Sequence, residues 1–163
     1  MAMTFPVGGG GGGDFKRVSS GSHLGVCNLV ADIGLQPGSA LHPDPKRQVV
    51  IRWEIPGERV EYEINGEKKE GPMTISRTVT ASMNEKATLR QILENWRGRK
   101  FTNEEAAKFD VSSILGKPCL LSISESTKGD KTYSNVASVS PLIKGMAAPE
   151  AENPLLYYAD DNR

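Results

Sequence analysis

The segment KRQVVIRWEI, residues 46–55, carries the clearest strand pattern in the chain. Apolar side chains recur at every second position, at Val49, Ile51, Trp53 and Ile55. A period of two indicates a strand with one buried face. We therefore expect Trp53 to belong to the core, whereas Arg52 points to the opposite face.

Four further segments flank this strand and are also predicted to be strands. They are residues 22–35, 73–81, 119–124 and 133–139. A short strand over 59–64 precedes Asn65-Gly66, which is a strong hairpin dipeptide. The charged residues 67–72 that follow are predicted to form an exposed, mobile loop.

Two helices are predicted between the third and fourth strands. Residues 85–96 carry one apolar stripe at helical spacing, after a capping-box pattern at Ser82–Glu85. Thr102–Glu105 is a second capping box and opens a shorter helix. The order of elements predicts an all-β or α+β fold, a five-stranded antiparallel OB-fold barrel with a helix between strands 3 and 4 and a second short helix.

The two ends differ in composition from this domain. Six consecutive glycines, residues 8–13, match G-x-G-x-x-G, but no strand precedes them and no apolar helix follows, so a linker is favoured over a dinucleotide loop. Residues 1–145 hold 19 Lys and Arg against 16 Asp and Glu, a balance of +3, and residues 146–163 hold 1 against 4, a balance of −3. We predict a flexible glycine-rich segment over 1–15, a domain over 16–145 and a flexible acidic tail over 146–163.

Several segments of the domain form one recognisable pattern. They are SMNEKATLR (82–90), WRGRKFTNEE (96–105), LGKPCLL (115–121), YSNV (133–136), VSPL (139–142) and KG (144–145). Over about residues 20–145 the chain resembles phage-encoded proteins of the replication and recombination region, which are single-stranded DNA-binding proteins with an OB-fold. The resemblance implies the fold, the broad role and a place in the cytoplasm of an infected bacterial cell. It carries no set of ligand residues.

The residue pattern argues against an enzyme. The two histidines have no metal-spaced partner, and no nucleophile elbow, phosphate-binding loop or zinc-protease motif is present. We therefore predict no catalytic residue, no metal and no cofactor. Cys27 and Cys119 are predicted to be buried free thiols of a reducing compartment, and no apolar run is long enough to span a membrane.

Single-strand binding requires cations for the phosphates and flat side chains on which bases stack. Cations occur in clusters, which include Lys68/Lys69 and Lys128/Lys131, and Arg77 interrupts the apolar face of its strand as a groove residue would. The predicted phosphate contacts are Lys46, Arg47, Arg52, Arg77, Arg97 and Arg99. The predicted stacking residues are Tyr62 and Tyr133.

The tail combines apolar and acidic residues. Tyr157, Tyr158, Asp160 and Asp161 are candidates to recruit replication or recombination proteins, or to lie in the domain's own basic groove until DNA displaces them. Disorder, or an arm packed on a neighbouring subunit of a homodimer, remains open for the same residues. The alternative functions are a protein-binding module, which would engage a nuclease, a polymerase or a host defence protein, and a binder of structured RNA.

Overall fold

The computed structural model describes residues 17–41 and 43–159. The predicted glycine-rich segment over 1–15 and the candidates Asp160 and Asp161 lie outside these residues. The elements are β1 (Gly21–Gln36), β2 (Lys46–Ile64), β3 (Glu67–Thr80), α1 (Thr88–Arg97), α2 (Asn103–Lys108), a 3-10 turn (Val111–Ile114), β4 (Pro118–Lys128), β5 (Lys131–Ser140) and β6 (Leu156–Ala159).

The first five strands form an antiparallel sheet in the order β3-β2-β1-β4-β5. The long strand β1 pairs with β4 over Gly21–Val26 and with β2 over Val26–Gln36. Because β1 changes partners along its length, the sheet curls, and its two end strands approach each other. At this seam Arg77 of β3 donates from Nη1 to the Val136 carbonyl oxygen of β5, at 3.4 Å. The result is a curled half-barrel.

The core fills the inside of this half-barrel. Val49, Ile51, Trp53 and Ile55 are all buried, which confirms the core face predicted from their alternation. Helix α1 covers the core with its apolar stripe, and its Trp96 ring lies 5.9 Å from the Trp53 ring, centroid to centroid. Burial of apolar surface away from water is the main favourable contribution to such a fold, and the two tryptophan rings supply a large share of that surface.

The β2–β3 hairpin extends further than the sequence pattern indicated. Asn65 and Gly66 have φ of 52° and 80°, as a two-residue hairpin turn requires. The strands then pair from Ile64↔Glu67 to Arg59↔Pro72, so the prediction of a loop over 67–72 was wrong. Backbone pairing persists there although the side chains of residues 67–70 are charged and exposed, so the sequence shows no hydrophobic period to indicate a strand.

The helix ends test the two predicted caps. At α2, the Thr102 hydroxyl accepts from Glu105 N and the Glu105 carboxylate accepts from Thr102 N, which confirms the second capping box. The prediction of a capping box at Ser82–Glu85 was wrong, because α1 begins at Thr88 after Ala87 and has no side-chain cap. The Ser82 hydroxyl instead accepts from Asn84 N within the preceding turn.

A sixth strand lies in the region predicted as a flexible tail. Leu156–Ala159 pairs in parallel with Leu29–Asp32 of β1. That edge of β1 is free to pair because β4 leaves it at Val26. Upstream of β6, Glu152 N and Asn153 Nδ2 donate to Glu54 Oε1 of β2, at 3.2 and 3.0 Å. The C-terminal segment therefore lies across the outer face of the sheet at β2.

Candidate nucleic-acid interface

One face of the β4–β5 hairpin is wholly polar and exposed, apart from one aromatic ring. The register pairs Ser124 with Asn135, Ser126 with Tyr133 and Lys128 with Lys131. The alternate pair Ile123↔Val136 is buried in the core. Because side chains alternate across a strand, the first three pairs share the outer side of the sheet. We call this surface the hairpin face: Ser124, Ser126, Lys128, Lys131, Tyr133 and Asn135.

The hairpin face favours an anion. Lys128 and Lys131 lie directly opposite each other, and like charges in that position repel. None of the six residues of the face is acidic. Asp130 lies in the turn between the two lysines, outside the paired strands, and Glu125 of β4 alternates to the other face and lies 3.2 Å from Arg17 Nη2. Phosphates bound to the two ammonium groups would relieve their repulsion.

Tyr133 gives this face an aromatic surface beside the cations. Its side chain is 47% exposed, two residues along β5 from Lys131. Next to it, Asn135 donates from Nδ2 to the Ser126 hydroxyl at 2.9 Å. An exposed ring beside two lysines can stack a base of any identity while the lysines contact the flanking phosphates.

A row of hydroxyls continues the surface onto β3. Ser76, Thr78 and Thr80 are exposed on the outer side, since Ser76 is paired with Arg52 on the face opposite Trp53. The Arg77–Val136 bond places β3 beside β5, so the outer sides of these two strands adjoin. Hydroxyls of this kind donate to phosphate oxygens without reading sequence.

Four of the predicted phosphate contacts form internal interactions. Arg47 forms an ion pair with Asp32, and Arg52 is 8% exposed and donates from Nε to Asn28 Oδ1 at 3.0 Å. Arg77 lies at the β3–β5 seam. Arg97 stacks on the Phe101 ring, its guanidinium carbon 4.0 Å from the centroid, and lies 3.7 Å from Glu105.

The remaining predicted residues do not meet at one place. Lys46 is exposed at the start of β2, and Arg99 is exposed just after α1. Tyr62 is half-buried on the β2–β3 hairpin, close to Gly71. Tyr157 and Tyr158 are 59% and 57% exposed on β6. Of the predicted set, only Tyr133 belongs to the hairpin face.

Lys128 and Lys131 were not among the predicted contact residues. The sequence shows them as one cluster among several, separated by Gly129-Asp130. Their mutual position depends on the register of the hairpin, which places them opposite each other on the side that bears Tyr133. A two-residue turn at Gly129-Asp130, a typical hairpin dipeptide, was the one local signal for that register.

The outer face of β1 and β2 holds a buried polar cluster at its centre. Asn28 and Glu54 are fully buried, and Asn28, which lies at a bulge of β1 between Cys27 and Leu29, accepts from Arg52 Nε. Burial lowers the pKa of Arg52, and the Glu54 carboxylate opposes this shift. Because Glu152 and Asn153 contact Glu54, the C-terminal segment covers this part of the sheet.

The two cysteines are free and buried, as predicted. Burial raises the pKa of the Cys27 thiol from 9.0 to about 12, and it also raises the pKa of Cys119. A thiol that holds its proton so firmly is a poor nucleophile and metal ligand. Within residues 17–41 and 43–159 no three His, Cys, Asp or Glu side chains group as metal ligands. The longest helix in this part of the chain, α1, has 10 residues, which is too few to span a bilayer.

Comparison of the chain with protein-family models, with curated proteins and with solved structures returned no match.

Proposed function

We propose that this protein binds single-stranded DNA with little sequence preference. The observation that carries the proposal is the hairpin face. It is an exposed strand surface with two opposed lysines and an exposed tyrosine, and its one neighbouring carboxylate in the hairpin turn is Asp130. Cations that track a backbone, combined with a ring on which any base can stack, are the requirements of sequence-tolerant single-strand binding.

The arrangement of strands supports the same proposal. An OB-fold is a five-stranded, partly open barrel that binds oligonucleotides on the face of strands 2 and 3 and with the loops between strands 1 and 2 and strands 4 and 5. The order β3-β2-β1-β4-β5, with β3 beside β5, is compatible with such a barrel. In an OB-fold the hairpin face would belong to the loop between strands 4 and 5. The resemblance of residues 20–145 to phage single-stranded DNA-binding proteins points in the same direction.

In the proposed complex Lys128 and Lys131 each contact a phosphate, and Tyr133, on the same face of the hairpin, stacks on a neighbouring base. The exposed hydroxyls of β3, at Ser76 and Thr78, continue the path of the backbone. Arg52, in the covered polar cluster on the outer face, and Arg77, at the β3–β5 seam, support the sheet. Because base edges are left free, we expect affinity to depend on salt rather than on sequence.

The decisive experiment is a titration of fluorescently labelled oligo-dT by anisotropy at several salt concentrations. The Lys128→Ala/Lys131→Ala variant is compared with wild type and with the control Lys86→Ala/Lys144→Ala, which removes the same charge from exposed sites elsewhere. Each phosphate contact adds about 0.7 to the slope of log affinity against log salt for single strands. We therefore expect the slope to fall by about 1.4 in the hairpin variant and to remain unchanged in the control.

Two results would overturn the proposal. One is wild-type affinity for duplex DNA equal to that for oligo-dT, and the other is an affinity that does not change with salt. Loss of binding in both double variants to the same extent would show a general charge effect and would remove the hairpin face from the site. Absence of any DNA binding would favour the alternative of a protein-binding module.

Stacking is tested separately at Tyr133. The Tyr133→Ala variant should weaken oligo-dT binding by about 1–3 kcal/mol, whereas Tyr133→Phe, which retains the ring, should bind as wild type does. Equal losses in both variants would show that the hydroxyl, rather than the ring, makes the contact.

A further inference from the structure

One edge of the sheet, formed by β6, has no neighbouring strand. Strand β6 pairs on one side with Leu29–Asp32 of β1, and in the part of the chain that the structure describes no strand pairs with its other side. The backbone N–H and C=O groups on that side therefore have no partner strand. Such a row of donors and acceptors is a template for one further strand.

The β6 edge lacks the features that normally prevent strands from pairing between molecules. Edge strands are protected by charged side chains, by proline or by a bulge. Residues 155–159, with the sequence LLYYA, contain no charge and no proline, and the register of β6 with β1 is unbroken. By contrast, residues 67–70 at the outer end of β3 are all charged. The β6 edge is thus open to pairing.

Exposed aromatic side chains lie on both sides of β6. Tyr157 shares one side of the sheet with its register partner Val30 and is 59% exposed. Leu156 and Tyr158 lie on the opposite side, because side chains alternate along a strand, and Tyr158 is 57% exposed. A strand added beside β6 would cover side chains on both sides of the sheet at once.

The sequence of β6 fits the edge of a second β6. Two antiparallel strands related by a two-fold axis at residue 157 place Tyr157 opposite the second copy's Tyr157. Leu156 then lies opposite the second copy's Tyr158, and Leu155 opposite its Ala159. Every pair is apolar, and aromatic side chains directly opposite each other stabilise a sheet.

The position of the axis follows from the limits of the uncharged segment. Pro154 and Asp160 flank residues 155–159 in the sequence, and Tyr157 is the middle residue of these five. An axis one residue later would place Asp160 opposite Leu156. An axis one residue earlier would place Pro154, which has no amide N–H, in the ladder. Only the axis at Tyr157 pairs all five residues with one another.

We propose that two copies of the protein associate by antiparallel pairing of their β6 strands around a two-fold axis at Tyr157. Each β6 stays paired with its own β1, so the two sheets become continuous. Four tyrosines, each more than half exposed, would bury about 300–600 Å², and backbone hydrogen bonds add to the affinity. This area is below that of a stable dimer, so association should be weak and concentration-dependent. The contact requires no DNA.

The test is sedimentation velocity of the full chain without DNA, over micromolar to submillimolar concentrations. We expect wild type to associate as concentration rises. Tyr157→Lys and Tyr157→Glu each place like charges opposite each other across the axis and should weaken association by about tenfold or more. The matched controls are Ile64→Lys and Ile64→Glu, at a 46% exposed apolar residue beside the β2–β3 turn, and they should associate as wild type does.

An equimolar mixture of Tyr157→Lys and Tyr157→Glu gives the sharper result. In a mixed pair opposite charges face each other across the axis, so the mixture should recover the association that each variant alone has lost. Recovery would also show that both variants keep β6 in place.

A second pair of variants tests the register if hydrogen exchange shows that β6 has left β1 in the charged variants. Residues directly opposite each other in an antiparallel pair have Cα atoms about 4.5–5.5 Å apart, which is within the range of a disulfide. Oxidation should therefore link two copies of Tyr157→Cys. Tyr158→Cys should not form this link, because Tyr158 lies opposite Leu156 of the second copy.

Three results would each overturn the proposal: a charged mixture that fails to associate, Tyr157 variants that associate as wild type does, and a wild-type chain that stays monomeric. The last result would leave the β6 edge to a strand of a different protein. Because none of these measurements involves DNA, their failure is distinct from failure of the proposed function.

Discussion

Replacement of Arg90 by methionine should strongly destabilise the fold. Arg90 lies on α1 and is 5% exposed. Its guanidinium donates from Nη2 to the Phe101 carbonyl at 2.7 Å and from Nη1 to Asn103 Oδ1 at 2.9 Å. Nη1 also reaches the Met83 carbonyl at 3.3 Å, and Nε reaches Glu94 Oε2 at 3.4 Å. One side chain thus connects α1 to the segments before and after it.

The expected magnitude follows from these contacts. Methionine fills a similar volume but donates no hydrogen bond, so the Phe101 carbonyl loses its partner and the Glu94 carboxylate loses its countercharge. Glu94 itself is only 14% exposed and accepts from Phe101 N at 2.8 Å. Removing one partner of a buried ion pair costs about 3–5 kcal/mol. The individual losses share partners and do not add, so we expect a total within that range.

Equilibrium unfolding in urea, followed by tryptophan fluorescence, measures this loss. Arg90→Lys is the informative companion, because it keeps the charge but cannot bond several acceptors in one plane, and it should recover only part of the stability. Lys108→Ala is the surface control. It breaks an ion pair whose side chains are 76% and 81% exposed, and it should cost no more than about 0.5 kcal/mol. A loss below about 1 kcal/mol for Arg90→Met would refute the reasoning, because a surface contact has that value.

Three further outcomes are expected. Gly25→Ala should cost about 1–3 kcal/mol of unfolding free energy, since the new Cβ would lie 2.7 Å from Cδ1 of the fully buried Leu121; unchanged urea stability would mean that Leu121 can repack. Asn65→Ala should cost about 1 kcal/mol because φ is 52° at that turn, whereas Asn65→Gly should not. Burial raises the pKa of Cys27 from 9.0 to about 12. The contribution of the protonated thiol to the free energy of unfolding is therefore complete below the unfolded-state pKa, and it is lost as the pH rises from that value towards the folded-state pKa. Wild type should therefore lose more stability than Cys27→Ala above pH 9, as urea unfolding across that range would show. If the free energies of unfolding of the two proteins fell in parallel with pH, the raised pKa of Cys27 would be contradicted.

The features that sequence predicted correctly are those with local causes. The alternation around Trp53 identified a buried face because the period of a strand is two wherever it pairs. The Asn65-Gly66 turn and the Thr102 cap were visible because each is satisfied within a few residues. The buried thiols followed from the apolar segments around Cys27 and Cys119.

The candidate site was less accessible to the same reasoning. Arg52 was expected to face outward, and it does leave the core face, but the C-terminal segment covers its side of the sheet. Arg47 and Arg97 have carboxylate partners that are 15 and 8 residues distant in sequence. Whether a cation is available for DNA depends on such partners, and residue type and spacing do not reveal them.

The difference between what sequence and tertiary structure determine is clearest at Lys128, Lys131 and Tyr133. The sequence by itself determined that these residues are polar or aromatic, lie near a turn and belong to segments of strand periodicity. Only the tertiary structure decided that the two lysines oppose each other beside an exposed ring, and that β6 pairs with the free edge of β1. The physical reason is that periodicity reports burial along one strand, whereas register, edge pairing and coverage are set by hydrogen bonds between one strand and another, which the pattern within a single strand does not contain.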